Sequence, residues 1–564
     1  MGDIRCSAIL SCSEAIFEIP KTYRTFRGRR VSHVAAPHAA RHALNTSQRC
    51  DRHAQVAGAY HTLTMWALAS CLAIGVLAAV LALARLARAA LPVDHDPATR
   101  KCTSLAFFHP FAECGGGGER VLWAAVDALA KEDALTKPSK VKEREDSEQS
   151  AQSEQSGELE EGMDIVIYCQ DVSTPEETSE EVLASHANSR FNLAVSPRSF
   201  RVVPIRYRNL LVPDKYPRLT MIFQALAAVA VTVECLIRGG FLPDIWVDTT
   251  GWAFGYPLLK LLKPRMKVVA YVHYPTVSSD MLLRVRKREA GYNNRETVSR
   301  SWLLSLAKAV YYQVFSYWYG FCGGCADVCM VNSTWTKGHV DDIFWWRGKR
   351  ATTLVYPPCD CTDLSTVDLG PRGADVKQII SLAQFRPEKN HELQLDAVAR
   401  VRDRTGASFK VLFVGGCRDV GDYKRVESLR RSAADLGLDH GTVEFLVNAP
   451  FSDLRRALGE SIAGLHSMKD EHFGISVVEY MAAGVIPIAH NSAGPRMDIV
   501  TADTGFLCET PEEYSAAMET VLGMDEGRRL EMAALGRTRA ASFAQEKFQC
   551  GFLNEVFHRP TSGT

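Results

Sequence analysis

Ile462-Ala-Gly-Leu-His-Ser-Met-Lys-Asp-Glu471-His-Phe-Gly-Ile-Ser-Val-Val-Glu479-Tyr-Met-Ala-Ala-Gly484-Val-Ile-Pro-Ile-Ala489 reads as strand, loop, helix and strand. The runs 462–465 and 485–489 are short and apolar, whereas Val477, Val478, Met481 and Ala482 recur at helical spacing between them. Two strands joined through a helix form a parallel crossover, because an antiparallel pair needs only a tight turn. The helix opens near Gly474 and Ser476, so the unpaired N–H groups of its first turn point past the strand ends, where an anion binds well.

The same alternation extends outward in both directions. Candidate strands lie at 105–109, 164–169, 245–248, 268–273 and 328–332, and a second series lies at 378–383, 410–414 and 443–446 before the quoted pair. Short apolar runs alternating with helical patterns predict α/β architecture with helices on both faces of a parallel sheet, here in two Rossmann-like domains. A chain of 564 residues, 46% hydrophobic, also exceeds what one core holds, since single cores stop growing at about 250–300 residues. The expected domains are 103–365 and 374–540, separated by Val355-Tyr-Pro-Pro-Cys359 and a polar stretch reaching 374, where the prolines exclude helix. Residues 131–161 are Lys-, Glu-, Ser- and Gln-rich and predict a disordered insertion, while 541–557 predicts a helix with aromatics along one stripe.

Residues 63–84 carry no charge, and 22 helical residues span about 33 Å, the thickness of a bilayer core. They are expected to form a retained transmembrane anchor; a cleaved signal would be shorter and nearer the start. Residues 1–62 read as a disordered leader, and 1–60 hold nine Lys or Arg against four Asp or Glu. Arg85, Arg88, Arg100 and Lys101 after the span place the bulk of the chain in the cytosol by the positive-inside tendency. Residues 221–237 are nearly all apolar and are expected to form a membrane-leaning helix, ahead of a buried helix or a second span. Lys plus Arg equals Asp plus Glu, 65 each, so no global field favours nucleic acid. The sixteen cysteines lack the spacing of a disulfide framework, and Cys322, Cys325 and Cys329 lack a second ligand pair for zinc, so buried thiols are expected.

Candidate chemistry collects at predicted strand ends. Gly115, Gly116, Gly117 and Gly118 join a strand to a helix, where glycine serves phosphate approach or simple packing. His273 ends the strand of Tyr271-Val-His-Tyr-Pro275, at the edge where open sheets bind ligands; a structural histidine would also fit. Arg386 and Lys389 lie in the loop Gln384-Phe-Arg-Pro-Glu-Lys-Asn390, suited to a diphosphate or to plain solvation. Glu471 before the helix can reach a sugar, and Glu479 about one turn inside it can accept bonds from ribose hydroxyls.

The Glu471-x7-Glu479 block resembles that of the retaining GT-B glycosyltransferases of family GT4. Over about 103–557, the glycine segment, Gly240-Phe-Leu-Pro-Asp-Ile-Trp-Val-Asp-Thr-Thr-Gly-Trp252, Tyr271–Thr276, 384–391 and the two-glutamate block look like the dolichol-pathway α-1,2-mannosyltransferases within it. That resemblance implies GDP-mannose as donor, Man(3)GlcNAc(2)-PP-dolichol as acceptor, two mannoses added in turn with retention on the cytosolic face of the endoplasmic reticulum membrane, and other dolichol-pathway mannosyltransferases as possible partners. It implies that Glu471 and His273 contact mannose, Glu479 the ribose, Gly474 and Ile475 the diphosphate through backbone N–H groups, and that Lys389 neutralises the diphosphate while the glycine turn faces the reaction centre. It implies no metal or cofactor, and a C-terminal helix that crosses back to the first domain. One position departs: the family arginine five residues before Lys389 is Gln384 here, and Arg386 stands nearby. Two other readings are another lipid-linked-sugar GT4 transferase with a different nucleotide sugar, and a non-catalytic scaffold; donor screening separates the first.

Overall fold

The structure is a computed structural model that describes residues 103–557 apart from 113–115, 137–161, 170–178, 279–280, 282–301, 345–350, 373–375 and 439–440, together with five positions between 75 and 89. The expected leader, nearly all of the expected anchor and most of the expected insertion lie outside the described residues.

The first domain is a seven-stranded parallel sheet built from β1 (Thr103–Phe108), β2 (Met163–Cys169), β3 (Arg201–Pro204), β4 (Ile245–Asp248), β5 (Lys267–Val272), β6 (Val328–Val331) and β7 (Thr353–Leu354), in the order β3-β2-β1-β4-β5-β6-β7. Side chains alternate across it with the period of two that a strand imposes. Leu105 and Phe107 enter a core shared with Val121, Leu122 and Ala125 of α1 (Gly117–Thr136). Ala106 and Phe108 enter the opposite core, closed by α2 (Thr220–Gly239) and α3 (Trp302–Gly324).

α1 runs six residues into the stretch read as an insertion. Asp133 Oδ1 accepts Met163 N at 2.8 Å, so the end of the helix is tied to the start of β2. α2 buries its middle, including Ala225, Ala228, Val229 and Leu236, in the core, while Phe223 and Ile237 near its ends are exposed. Glu234 on α2 is buried and accepts the Arg206 and Tyr207 N–H groups at 2.6 and 3.0 Å, which offsets the cost of burying its charge. α4 (Thr334–Ile343) follows β6 and is capped by the Ser333 side chain.

The stretch read as a linker is packed. Cys359 N donates to Phe543 O at 3.2 Å, and Cys361 and Leu364 of the single-turn helix α5 (Cys361–Ser365) enter the second domain's core beside Val477 and Met481. That domain is a six-stranded parallel sheet of β8 (Lys377–Leu382), β9 (Phe409–Gly415), β10 (Val443–Val447), β11 (Ser461–His466), β12 (Ile486–His490) and β13 (Phe506–Cys508), ordered β10-β9-β8-β11-β12-β13. α6 (His391–Thr405) follows β8, and α7 (Ile475–Ala482) connects β11 to β12. The last helix, α8 (Gln545–Phe557), returns to the first domain, where Phe548, Phe552 and Val556 join the core of Phe107 and Tyr271. Gln549 Nε2 reaches Asp127 Oδ2 on α1 at 2.8 Å.

Each sheet reverses strand order once, between β1 and β4 and between β8 and β11. Such switch points open a crevice at the carboxyl ends of the strands. The described cysteines form no disulfide, and the thiols of Cys322 and Cys329 are buried.

Candidate functional site

Both crevices carry the residues singled out from the sequence. In the second domain, β8 leads to Arg386 and Lys389, and β11 leads to His466 and the Glu471 loop. Lys389 Nζ bonds Glu471 Oε2 directly, and His466 Nε2 lies 3.2 Å from the same oxygen. Ser467 Oγ donates to the carbonyls of Lys389 and Asn390 at 2.8 and 3.0 Å, which fixes one loop against the other. Burial alone would raise the Glu471 carboxyl, but Lys389, with His466 behind it, holds it well below the ordinary carboxylate range. It is therefore ionised at neutral pH.

The Glu471 loop is braced from β12. Gly494 N donates to Glu471 O at 3.0 Å, and a Cβ on Gly494 would lie 2.4 Å from Phe473 O, so only glycine permits that approach. Asp470 and Gly474 both adopt positive φ, 58° and 111°. This turns the chain so that α7 begins without a side-chain cap. Its first N–H groups are thereby left for a ligand.

Glu479 lies about one turn into α7. Arg120 Nη1, from the first turn of α1, lies 3.3 Å from its Oε1, so this carboxylate is held across the cleft. Arg386 stands with Nη1 3.7 Å from Glu388 Oε1 of its own loop.

The first domain supplies the opposite wall. A Cβ on Gly117 would come within 3.1 Å of Ile475 Cδ1, which places the glycine turn directly over the start of α7. A Cβ on Gly118 would lie 3.6 Å from His273 Nε2 and 3.9 Å from His109 Cε1. Gly116 N donates to Glu119 Oε2 at 2.6 Å; Gly115 lies outside the described residues. His273 Nε2 is buried with no hydrogen-bond partner among the described residues. Burial, and then the neighbouring His109, lower this imidazole to about 4, so it is neutral at physiological pH. His109 Nδ1 meets Thr249 Oγ1 at 2.7 Å and its Nε2 lies 3.8 Å from Glu119 Oε1.

Two further contacts join the walls. The His472 ring stacks on Tyr274 with centroids 4.1 Å apart and 6° between planes, and the Trp335 ring lies near both, 5.3 Å from Tyr274 and 5.8 Å from His472. Asp498 accepts the Thr334 N–H at 3.0 Å and the Tyr356 hydroxyl at 3.1 Å. Arg120, His109, His466, His472 and Asp498 were not singled out from the sequence. A position at the end of a strand flags His466 and His109, but the partners of Arg120 and Asp498 lie 359 and 164 residues away. Among the described residues no group of three or more His, Cys, Asp or Glu is arranged to hold a metal ion.

Two doubly wound parallel sheets with facing switch points, an open helix end on one side and a glycine turn on the other, define a glycosyltransferase of the GT-B class. A glycosyltransferase from Rickettsia africae superposes with a TM-score of 0.53 at 14% identity, covering 82% of this chain and 100% of that one. The sucrose-phosphate synthase of Thermosynechococcus elongatus gives 0.53 at 15% identity, covering 81% and 98%. At such identities the likeness concerns the fold.

Sequence relatives go further. Residues 102–344 match the family described as ALG11 mannosyltransferase N-terminus, and 371–538 match glycosyl transferases group 1. A Xenopus laevis protein named GDP-Man:Man(3)GlcNAc(2)-PP-Dol alpha-1,2-mannosyltransferase is 38% identical over 465 residues, 80% of this chain and 87% of that protein. Proteins of the same name from Homo sapiens and Dictyostelium discoideum are 38% and 34% identical, covering 80% of this chain and 86% and 84% of their own lengths. The chain belongs to this family of GDP-Man:Man(3)GlcNAc(2)-PP-Dol alpha-1,2-mannosyltransferases.

Proposed function

We propose that the chain adds two α-1,2-linked mannoses in turn from GDP-mannose to Man(3)GlcNAc(2)-PP-dolichol, with retention of configuration, on the cytosolic face of the endoplasmic reticulum membrane during assembly of the lipid-linked oligosaccharide for N-glycosylation. The observation that carries this reading is the Lys389–Glu471–His466 cluster beside the uncapped start of α7, faced by His273 and the glycine turn, in a chain of this family.

In the proposed reaction the diphosphate of the donor lies against the N–H groups of Gly474 and Ile475. Departure of GDP concentrates negative charge there, so the helix end and the Lys389 ammonium stabilise the transition state more than the ground state. Arg386 adds positive charge at the outer side of the same loop. Glu471 accepts from mannose hydroxyls; its depressed pKa keeps the group ionised and acceptor-only. His273, neutral and with Nε2 unpartnered among the described residues, hydrogen-bonds the sugar from the opposite wall. Glu479 accepts from the ribose hydroxyls, and the acceptor enters from the glycine-turn side. The attacking hydroxyl approaches the face that the phosphate leaves, and the phosphate takes its proton. No resident metal or cofactor is assigned. A single helix at 63–84 anchors the chain, and the exposed ends of 221–237 rest against the membrane.

The test uses detergent-solubilised full chain, radiolabelled GDP-mannose and a synthetic trimannosyl-chitobiosyl-diphospholipid. Two labelled mannoses released by an α-1,2-specific mannosidase, and absent with Glu471→Ala, are the expected result. Turnover of a different nucleotide sugar with none from GDP-mannose would overturn the substrate assignment and leave the fold intact.

A further inference from the structure

We propose that Arg120 is a positioning residue for the donor: it reaches from the first domain across the cleft and presents the Glu479 carboxylate to the ribose of the nucleotide. This rests on the reading of Glu479 as the ribose acceptor.

The geometry is specific. The Arg120 side chain is 10% exposed, with Nη1 3.3 Å from Glu479 Oε1 and Nη2 3.9 Å from Asp360 Oδ2. Among the described residues Arg120 alone donates a hydrogen bond to that carboxylate, and Glu479 Oε2 accepts none. One oxygen is therefore fixed and the other is left for a ligand. An ionised carboxylate accepts only, with the free Oε2 and the second lone pair of Oε1 open to ribose hydroxyls, whereas a carboxylic acid turns one oxygen into a donor.

The surroundings make the arginine necessary. The Glu479 carboxyl stands above the ordinary carboxylate range, pushed up by burial and then by Asp360, and the Arg120 charge and hydrogen bond keep it from rising further. The other titratable groups around it are the thiols of Cys359 and Cys361 beside Asp360, the Tyr480 hydroxyl on α7 itself, and Glu546 at the start of α8, which acts on Asp360 and Cys361. None of these adds positive charge. Without Arg120 the carboxyl would take up a proton at a higher pH and lose an acceptor. Arg120 also belongs to the domain that carries the glycine turn, so the ribose contact is complete only when the two walls are together.

The test measures GDP binding by calorimetry and GDP-mannose turnover between pH 6 and 8, on full-length wild type, Arg120→Gln, Arg120→Lys and Glu479→Gln, with thermal unfolding as the fold control. Loss of a charge-assisted contact predicts a KM for GDP-mannose raised about tenfold or more in Arg120→Gln, with kcat changed less than about threefold. Its GDP affinity should fall as pH drops from 8 to 6, while wild type and Arg120→Lys stay flat and Glu479→Gln is weak at every pH. Should Arg120→Gln fail to fold, Asp360→Lys/Arg120→Gln, which moves the charge to the neighbouring position, carries the decision: tight GDP binding with a flat profile like that of Arg120→Lys is expected, and weak binding that falls with pH would overturn the proposal. Wild-type KM and pH profile in Arg120→Gln would also overturn it. If Glu479→Gln binds GDP as tightly as wild type, the ribose reading itself fails; if only Glu479→Gln weakens binding, Arg120 alone is misassigned.

Discussion

Replacing Lys389 by methionine keeps most of the side chain's length and removes its charge from a place where two anionic groups depend on it. The ammonium is bonded to Glu471 Oε2, with the two side chains 22% and 16% exposed, so water screens the pair only partly. Two effects follow. Glu471 loses the strongest influence holding its carboxyl low and keeps His466 at 3.2 Å. Under the proposed mechanism the departing diphosphate also loses a preorganised cation, which costs about 2.7–4 kcal/mol of transition-state stabilisation, or roughly 10²–10³ in kcat. Stability changes far less, because a partly exposed ion pair contributes about 1 kcal/mol or less and the methylene stem still packs. That corresponds to a shift in Tm of about 2–4 °C for the unfolding of a single domain of roughly 150–250 residues, such as the one that holds the pair. The assay is mannose transfer from radiolabelled GDP-mannose at saturating donor, alongside thermal unfolding in the same detergent. A variant that unfolds cooperatively near the wild-type temperature and keeps kcat within about threefold would refute the placement of Lys389 at the leaving group.

Gly494→Ala forces a Cβ to 2.4 Å from Phe473 O; overpacking of about 1–3 kcal/mol predicts a Tm lowered by roughly 2–10 °C, and activity should fall further because Gly494 braces the Glu471 carbonyl. His391 is buried against Phe385, with Nδ1 lacking a hydrogen-bond partner among the described residues, and burial lowers it from 6.5 to about 3. The unfolded chain therefore takes up a proton that the folded chain refuses, so nothing is lost above pH 6.5 and stability falls by up to about 1.4 kcal/mol per pH unit from there toward 3. His391→Phe should flatten the decline of Tm between pH 6.5 and 4.5 and leave Tm at pH 8 nearly unchanged; an equally steep decline would count against this assignment. The sequon at Asn332 is 4% exposed and its Thr334 N–H is bonded to Asp498. Asn332→Gln should match wild type in gel mobility both before and after glycosidase digestion.

The two sheets were legible because each central strand is apolar on both faces and is followed by a helical pattern, and all ten expected strands appear at or near their predicted bounds. The three strands without a forecast, β3, β7 and β13, are all edge strands of their sheets and have two to four residues each, too few for a periodic signal to emerge. The packing of the join between the domains was hidden for a related reason. Prolines and polar residues mark it as extended, but burial of Cys361 and Leu364 depends on α7 more than a hundred residues later. Within the site, Lys389, Glu471, Gly474 and His273 were legible because they sit at strand ends or a helix start. Arg120 was not, since an arginine in the first turn of a helix looks solvated until the chain brings Glu479 to it.

The return of α8 to the first domain bears on the order in which the protein becomes whole. A ribosome delivers the first sheet early, and domains generally consolidate as they emerge. Here the slot beside Phe107 and Tyr271 stays unfilled until Phe548, Phe552 and Val556 arrive at the far end of the chain. A nascent chain thus carries an exposed apolar groove through the synthesis of its entire second half, and a message truncated shortly before codon 545 would yield two formed sheets with that groove left for a chaperone to find.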